Sequence, residues 1–154
     1  MTERSTTHAT FVIERSLDFT PKFVFRAWAD PKAKARWFKG PEEWGQEKYG
    51  LDFRVGGHEY ESGGPVDGPT HHYNATYYDI VPDERIIYAL DMHLGDKRIT
   101  VSLATVEFKP AGAGTRMIFT EQIVFLDGTD HLPERKEGTE AMLDNLEAEL
   151  RRSS

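Results

Sequence analysis

The sequence predicts an α+β fold: an antiparallel sheet of about seven strands, two short helices directly after the first strand, and one long helix at the C-terminal end. Three observations carry this. β-Rich runs fill the chain from Lys48 to Phe125, separated by turn residues at Gly56-Gly57, Gly63 to Pro69, Pro82-Asp83, Gly95-Asp96 and Pro110 to Gly114. Two helix-start signals, Thr20-Pro21 and Asp30-Pro31, interrupt the strand texture early. The tail from Asp130 to Arg152 places Met142, Leu143, Leu146 and Leu150 at helical spacings along one face.

Taken in order, Thr10 to Leu17 reads as the first strand, ended by the change of pattern at Asp18 to Pro21. Thr20 can cap the next segment, and Pro21 suits its first turn because a helix leaves that N–H unpaired anyway; Val24, Ala27 and Trp28 then share a face. Asp30-Pro31 opens a second short helix that carries Trp37 and Phe38 and must stop by Gly40-Pro41. The meander follows as Tyr49 to Val55, His58 to Ser62, His71 to Val81, Arg85 to Leu94, Arg98 to Lys109 and Thr115 to Phe125. Short turns join these runs except at the Gly/Pro-rich loop from Gly63 to Pro69. In the terminal helix, Glu134 to Thr139 is poor in large apolar residues. A helix anchored only by its C-terminal half leaves an opening beneath its first half. The charge run Glu134-Arg135-Lys136-Glu137 reads as a solvated face with local ion pairs.

A length of 154 residues fits one domain with a substantial core, here residues 1–154 with an ordered core of about 9–151. With 19 Lys and Arg against 26 Asp and Glu, the formal charge of -7 argues against a nucleic-acid partner, which needs a basic surface. The absence of cysteine removes disulfides, thiolate metal sites and cysteine nucleophiles, and suits a reducing, cytoplasmic setting. Apolar runs are too short for a membrane span, and the polar start from Met1 to His8 lacks the apolar stretch of a secretory leader.

Several segments then resemble one known family. They are Trp28 followed by Asp30-Pro31 and Trp37; Asp52-Phe53-Arg54-Val55-Gly56-Gly57; Asp79 through Pro82 to Tyr88; Val101 to Phe108; Gly112-Ala113-Gly114-Thr115-Arg116; and Gly138 before Leu143-Asp144-Asn145-Leu146. In this order, over residues 9–151, they resemble the family named for the activator of heat shock protein 90 ATPase, within the START and polyketide-cyclase (SRPBCC) superfamily. The resemblance implies a helix-grip fold, a curved sheet wrapped around the last helix with a cavity between them. It also implies a chaperone as a protein partner. Two positions that would border the cavity depart from the family pattern: Thr139 stands where an aromatic residue often follows the glycine, and Glu121 where a histidine is common.

Strand parity supplies candidate site residues. In the last strand Met117, Phe119, Glu121, Ile123 and Phe125 share the more apolar face, so Glu121 is a carboxylate among apolar neighbours, suited to proton transfer or to anchoring a polar group. Tyr73, Tyr77 and Asp79 share a face of one middle strand, and Tyr88, Leu90 and Met92 of the next. Trp28 and Trp37 are expected to pack the short helices onto the sheet, whereas Trp44, in a loop, is placed to gate a cavity. His58, His71, His72, His93 and His131 do not form a metal motif, because adjacent His71 and His72 point to opposite sides of a strand and no His-Glu-x-x-His helix exists. No nucleotide loop or serine-hydrolase elbow is present, and no cofactor is implied.

The expectation is a binding protein for a small hydrophobic or amphipathic ligand, lined by Trp44, Tyr77, Tyr88, Met117, Phe119, Glu121, Met142 and Leu146. The alternatives are a cyclase- or hydratase-type enzyme using Glu121 or Asp79 as base, and a stress protein that engages a chaperone; a homodimer is a further partner option.

Overall fold

Capping chemistry sets the first helices as the sequence predicts. In a computed structural model that describes residues 4–41 and 44–154, the strand β1 (Thr6–Leu17) leads into α1 (Pro21–Ala29) and α2 (Pro31–Trp37). Residues 1–3, part of the polar start read above, lie outside the described residues. The Thr20 hydroxyl accepts from the Phe23 N–H at 3.2 Å, and the Asp30 carboxylate from the Lys32 N–H at 3.0 Å. Asp30 also closes the preceding helix, its own N–H donating to the Arg26 carbonyl, so one residue ends α1 and starts α2.

The meander continues as β2 (Gly45–Leu51), β3 (His58–Gly64), β4 (His71–Val81), β5 (Arg85–Leu94), β6 (Lys97–Ala111) and β7 (Gly114–Leu126), and the chain ends in α3 (Leu132–Ser153). All neighbours are antiparallel in the order β1-β7-β6-β5-β4-β3-β2, a curved seven-stranded sheet with the helices on its concave side. This is the helix-grip arrangement. The first strand crosses to the far edge and pairs with the last, Thr6 opposite Leu126 and Leu17 opposite Thr115.

Two departures from the sequence reading bear on the site, one a strand end and one a bulge. The second strand was expected from Tyr49 to Val55, but it ends at Leu51 and the chain turns at once. There the Gly57 N–H donates to the Arg54 carbonyl at 2.8 Å, and a Cβ on Gly57 would stand 2.1 Å from the Asp52 carbonyl oxygen, so only glycine fits. In β4 the pairing slips between Tyr77 and Asp79, where Tyr78 bulges outward. The alternation that put Asp79 on the face of Tyr77 is broken at that point, and Asp79 instead pairs with Arg85 at the surface.

The concave face of β7 follows the predicted parity: Met117, Phe119, Glu121, Ile123 and Phe125 are all buried. Against it pack Trp28, Trp37, Leu143, Leu146 and Leu150. Trp28 and Trp37 meet edge to face with ring centres 4.8 Å apart, and the Trp37 Nε1–H donates to the Ala27 carbonyl at 2.9 Å, which locks α2 onto α1. The buried residues of α3 are Leu143, Leu146, Glu149 and Leu150, all in its C-terminal half. No helix among the described residues is long and apolar enough to cross a membrane.

Candidate functional site

The first half of α3 holds no fully buried leucine and touches the sheet through polar contacts such as Arg135 to Glu121 and Thr100. Between the two lies a cavity of about 770 Å³, within the range of small-molecule sites. Its roof carries Gly138, Thr139 and Ala141, small side chains where a packed helix would present leucines, with Met142 at the inner end. Tyr73, Tyr88, Leu90 and Phe119 form the sheet side, and Trp28, Trp37 and Phe38 form the wall toward the short helices. At the rim the Trp44 ring lies 4.4 Å from the His71 ring. Burial and the neighbouring His72 push the His71 imidazole down, toward its neutral form.

One ion pair faces this space. Arg135 Nη2 donates to Glu121 Oε2 at 2.7 Å, and Nη1 donates to the Thr100 hydroxyl at 3.0 Å. The concave end of β6 is built to admit the guanidinium, with Thr100, Ser102 and Ala104 leaving room that larger residues would fill. The charge run Glu134 to Glu137 is therefore not wholly solvated, because Arg135 turns inward and is largely buried. Glu121 is held as an acceptor rather than standing free.

Two polar atoms in the wall are enclosed without a partner. The Trp28 Nε1–H and the Tyr73 hydroxyl have no hydrogen-bond partner among the described residues. Burial raises the ionisation of Tyr73 and Tyr88 well above that of an ordinary phenol, so both keep their protons.

Of the residues expected to line a site, Trp44, Tyr88, Phe119, Glu121 and Met142 converge on the cavity. Tyr77, Met117 and Leu146 do not. Tyr77 stands directly opposite Tyr88, but its hydroxyl is drawn behind the aromatic wall to Glu59 and Lys34, whereas Met117 lies four residues along β7 from Glu121, roughly 13 Å further along the strand. Parity gave their face correctly, but neither the height of Met117 along its strand nor the partners that hold Tyr77. Leu146 sits under the packed half of α3. Asp79 is at the surface with Arg85, away from Glu121. Among the described residues no group of three or more His, Asp or Glu is placed to hold a metal.

A second polar cluster lies behind the aromatic wall; of its members the sequence reading singled out Tyr77 alone, and for a different place. Lys34 on α2 is fully buried and donates through Nζ to Glu59 at 2.9 Å and to the Tyr77 hydroxyl at 3.2 Å. Glu59 also accepts from Tyr49 at 2.7 Å and from Tyr77 at 2.9 Å. The ammonium is 4.6 Å from the centre of the Phe38 ring and 5.3 Å from that of Trp28, so aromatic faces complete its shell. Burial pushes the amine down while Glu59 pulls it back up. Two residues along β3, Glu61 faces the same side with no ion pair among the described residues, and burial plus the charge on Glu59 raises its carboxyl to about 7. The available signal was the parity of β3: Glu59 and Glu61 share the face of Ala75 and Tyr73.

With the fold and cavity described, comparison with known proteins is decisive for the family. A family model described as activator of Hsp90 ATPase homolog 1-like protein matches residues 18–151. The chain belongs to that family. A solved structure of a protein from Rhizobium leguminosarum is similar to this family member over 98% of this chain and 99% of that one, with 53% identity and a TM-score of 0.94. The Mll3558 protein from Rhizobium loti shares 41% identity over 94% of this chain and 99% of its own, with a TM-score of 0.88. An AHSA1-like protein from Aeromonas hydrophila, at 20% identity over 94% of both chains and a TM-score of 0.73, shares the fold. Among curated proteins no match was found.

Proposed function

We propose that this family member binds a small, largely apolar molecule between its sheet and the first half of α3, with Trp44 at the entrance. The observation that carries the reading is the cavity of about 770 Å³, walled mainly by aromatic side chains and roofed by small residues of α3. Burying apolar ligand surface there would supply affinity at about 25 cal/mol per Å² before the costs of association. Glu121, already engaged by Arg135, serves as a polar landmark rather than a free base, which favours binding over turnover. Native mass spectrometry of protein purified gently from its source cells, compared with the same sample after denaturation, tests this. A mass excess that disappears on unfolding is the expected result. An unliganded mass, together with no shift in melting temperature across a lipid and aromatic screen, would count against the reading.

A further inference from the structure

An apolar site does not explain the unpartnered Tyr73 hydroxyl. It is enclosed in the cavity wall and has no hydrogen-bond partner among the described residues, a costly arrangement unless something else completes it. Its ring is fixed edge-on against Phe38, with centres 4.8 Å apart. Tyr88 of the neighbouring strand also lines the cavity, and the Tyr73 hydroxyl makes no hydrogen bond to it. Two phenols therefore line the cavity, one from β4 and one from β5. One oxygen with two lone pairs satisfies both.

Charge narrows the chemistry. The ionised side chains around the cavity balance, Lys39 and Arg135 against Glu121 and Glu134, and the Lys34–Glu59 pair behind the wall is balanced as well. An ionic head group would thus lose its hydration without gaining an unpaired counter-charge. Trp28, Trp37, Phe38 and Phe119 offer ring faces and edges suited to a planar partner.

Resting on the binding reading above, we infer that the ligand class is neutral and aromatic with a carbonyl oxygen, which accepts from the Tyr73 hydroxyl while Tyr88 supplies a second donor. Two fluorescent probes separate this inference from the reading it rests on: prodan, a neutral aminonaphthyl ketone, and phenylnaphthylamine, an aromatic amine of similar size without oxygen. Both should bind. Bound prodan should show the red-shifted emission of a hydrogen-bonded ketone despite its apolar surroundings. Tyr73→Phe should weaken prodan about fivefold and shift its bound emission to the blue, while changing phenylnaphthylamine less than about twofold.

Prodan that emits from the wild-type site as it does in an aprotic solvent would overturn the carbonyl assignment, even if the Tyr73→Phe protein does not fold. So would equal affinities for prodan in the two folded proteins. If neither probe binds the wild-type protein, the cavity reading falls and the inference falls with it.

Discussion

Lys34–Glu59 and Arg135–Glu121 both tie a helix to a strand across the concave face of the sheet, yet they sit in different surroundings. The first is sealed: both side chains are fully buried, two tyrosine hydroxyls fill the remaining acceptor sites of Glu59, and aromatic rings close the shell around the ammonium. The second lies beside open volume, where Thr100 takes part of the guanidinium's bonding capacity and the side chain of Arg135 keeps some exposure. A buried charge is held safely either by completing its shell or by leaving solvent within reach. The sealed pair is a fastener that fixes α2 to β3. The open pair can adjust when the cavity changes its contents.

The largest effect should come from breaking the sealed pair. Glu59→Gln leaves Lys34 as a buried cation without a counter-charge and should cost about 3–5 kcal/mol in denaturant unfolding. Replacing both residues, Lys34→Met with Glu59→Gln, should restore part of that loss; a double variant as unstable as the sum of the singles would break the distinction. Arg135→Met, which strips the counter-charge from Glu121, should cost less, about 1–2 kcal/mol, because water in the cavity can solvate the carboxylate. An equal loss for the two single variants would show that both sites are dry.

Glu61 sharpens the comparison through pH. Its folded-state carboxyl is raised from 4.5 to about 7, so the folded protein prefers it protonated. Stability should therefore fall as pH rises from the unfolded value through the folded one. Between about pH 5 and about pH 8, the wild type should lose on the order of 1–2 kcal/mol relative to Glu61→Gln, read from paired melting curves. Glu149 has the opposite sign: Arg152 and Arg36 hold it down near 2, so its contribution is present above 4.5 and lost as pH falls toward 2. The smallest effect belongs to the roof. A Cβ on Gly138 meets no atom within 4 Å, so Gly138→Ala should stabilise α3 by about 0.5–1 kcal/mol in thermal unfolding.

The sequence showed most where the physics is local. Thr20-Pro21 and Asp30-Pro31 announce their helices because cap and first turn lie within a few residues, and the leucines of α3 reveal which half packs. Alternation in β7 placed Glu121 inside, and the lack of large apolar residues from Glu134 to Thr139 marked the half of α3 that holds no fully buried leucine. What stayed hidden depended on distant partners. Arg135 looks like any surface charge until Glu121 is brought to it from β7, and Lys34 until β3 delivers Glu59. The bulge at Tyr78 leaves no composition signal, so Asp79 was assigned to a face it does not occupy. Parity fixes a side of the sheet but neither a height along it nor a distant partner, which is why Met117 was expected in the cavity and lies further along β7, and Tyr77 was expected there and is held behind the wall by Glu59 and Lys34.

The pairing of β1 with β7 also has a kinetic side. Strands β2 to β7 join sequential neighbours and can zip one hairpin at a time, whereas β1 must wait for the strand farthest from it in the meander. Of the seven strands, the one made first is thus the last to pair, carrying Phe11, Ile13 and Leu17 without a partner until Gly114–Leu126 is out. Closure of that edge, followed by the seating of α3, is the late event of folding, and chains stalled before β7 are the species that expose a long adhesive strand.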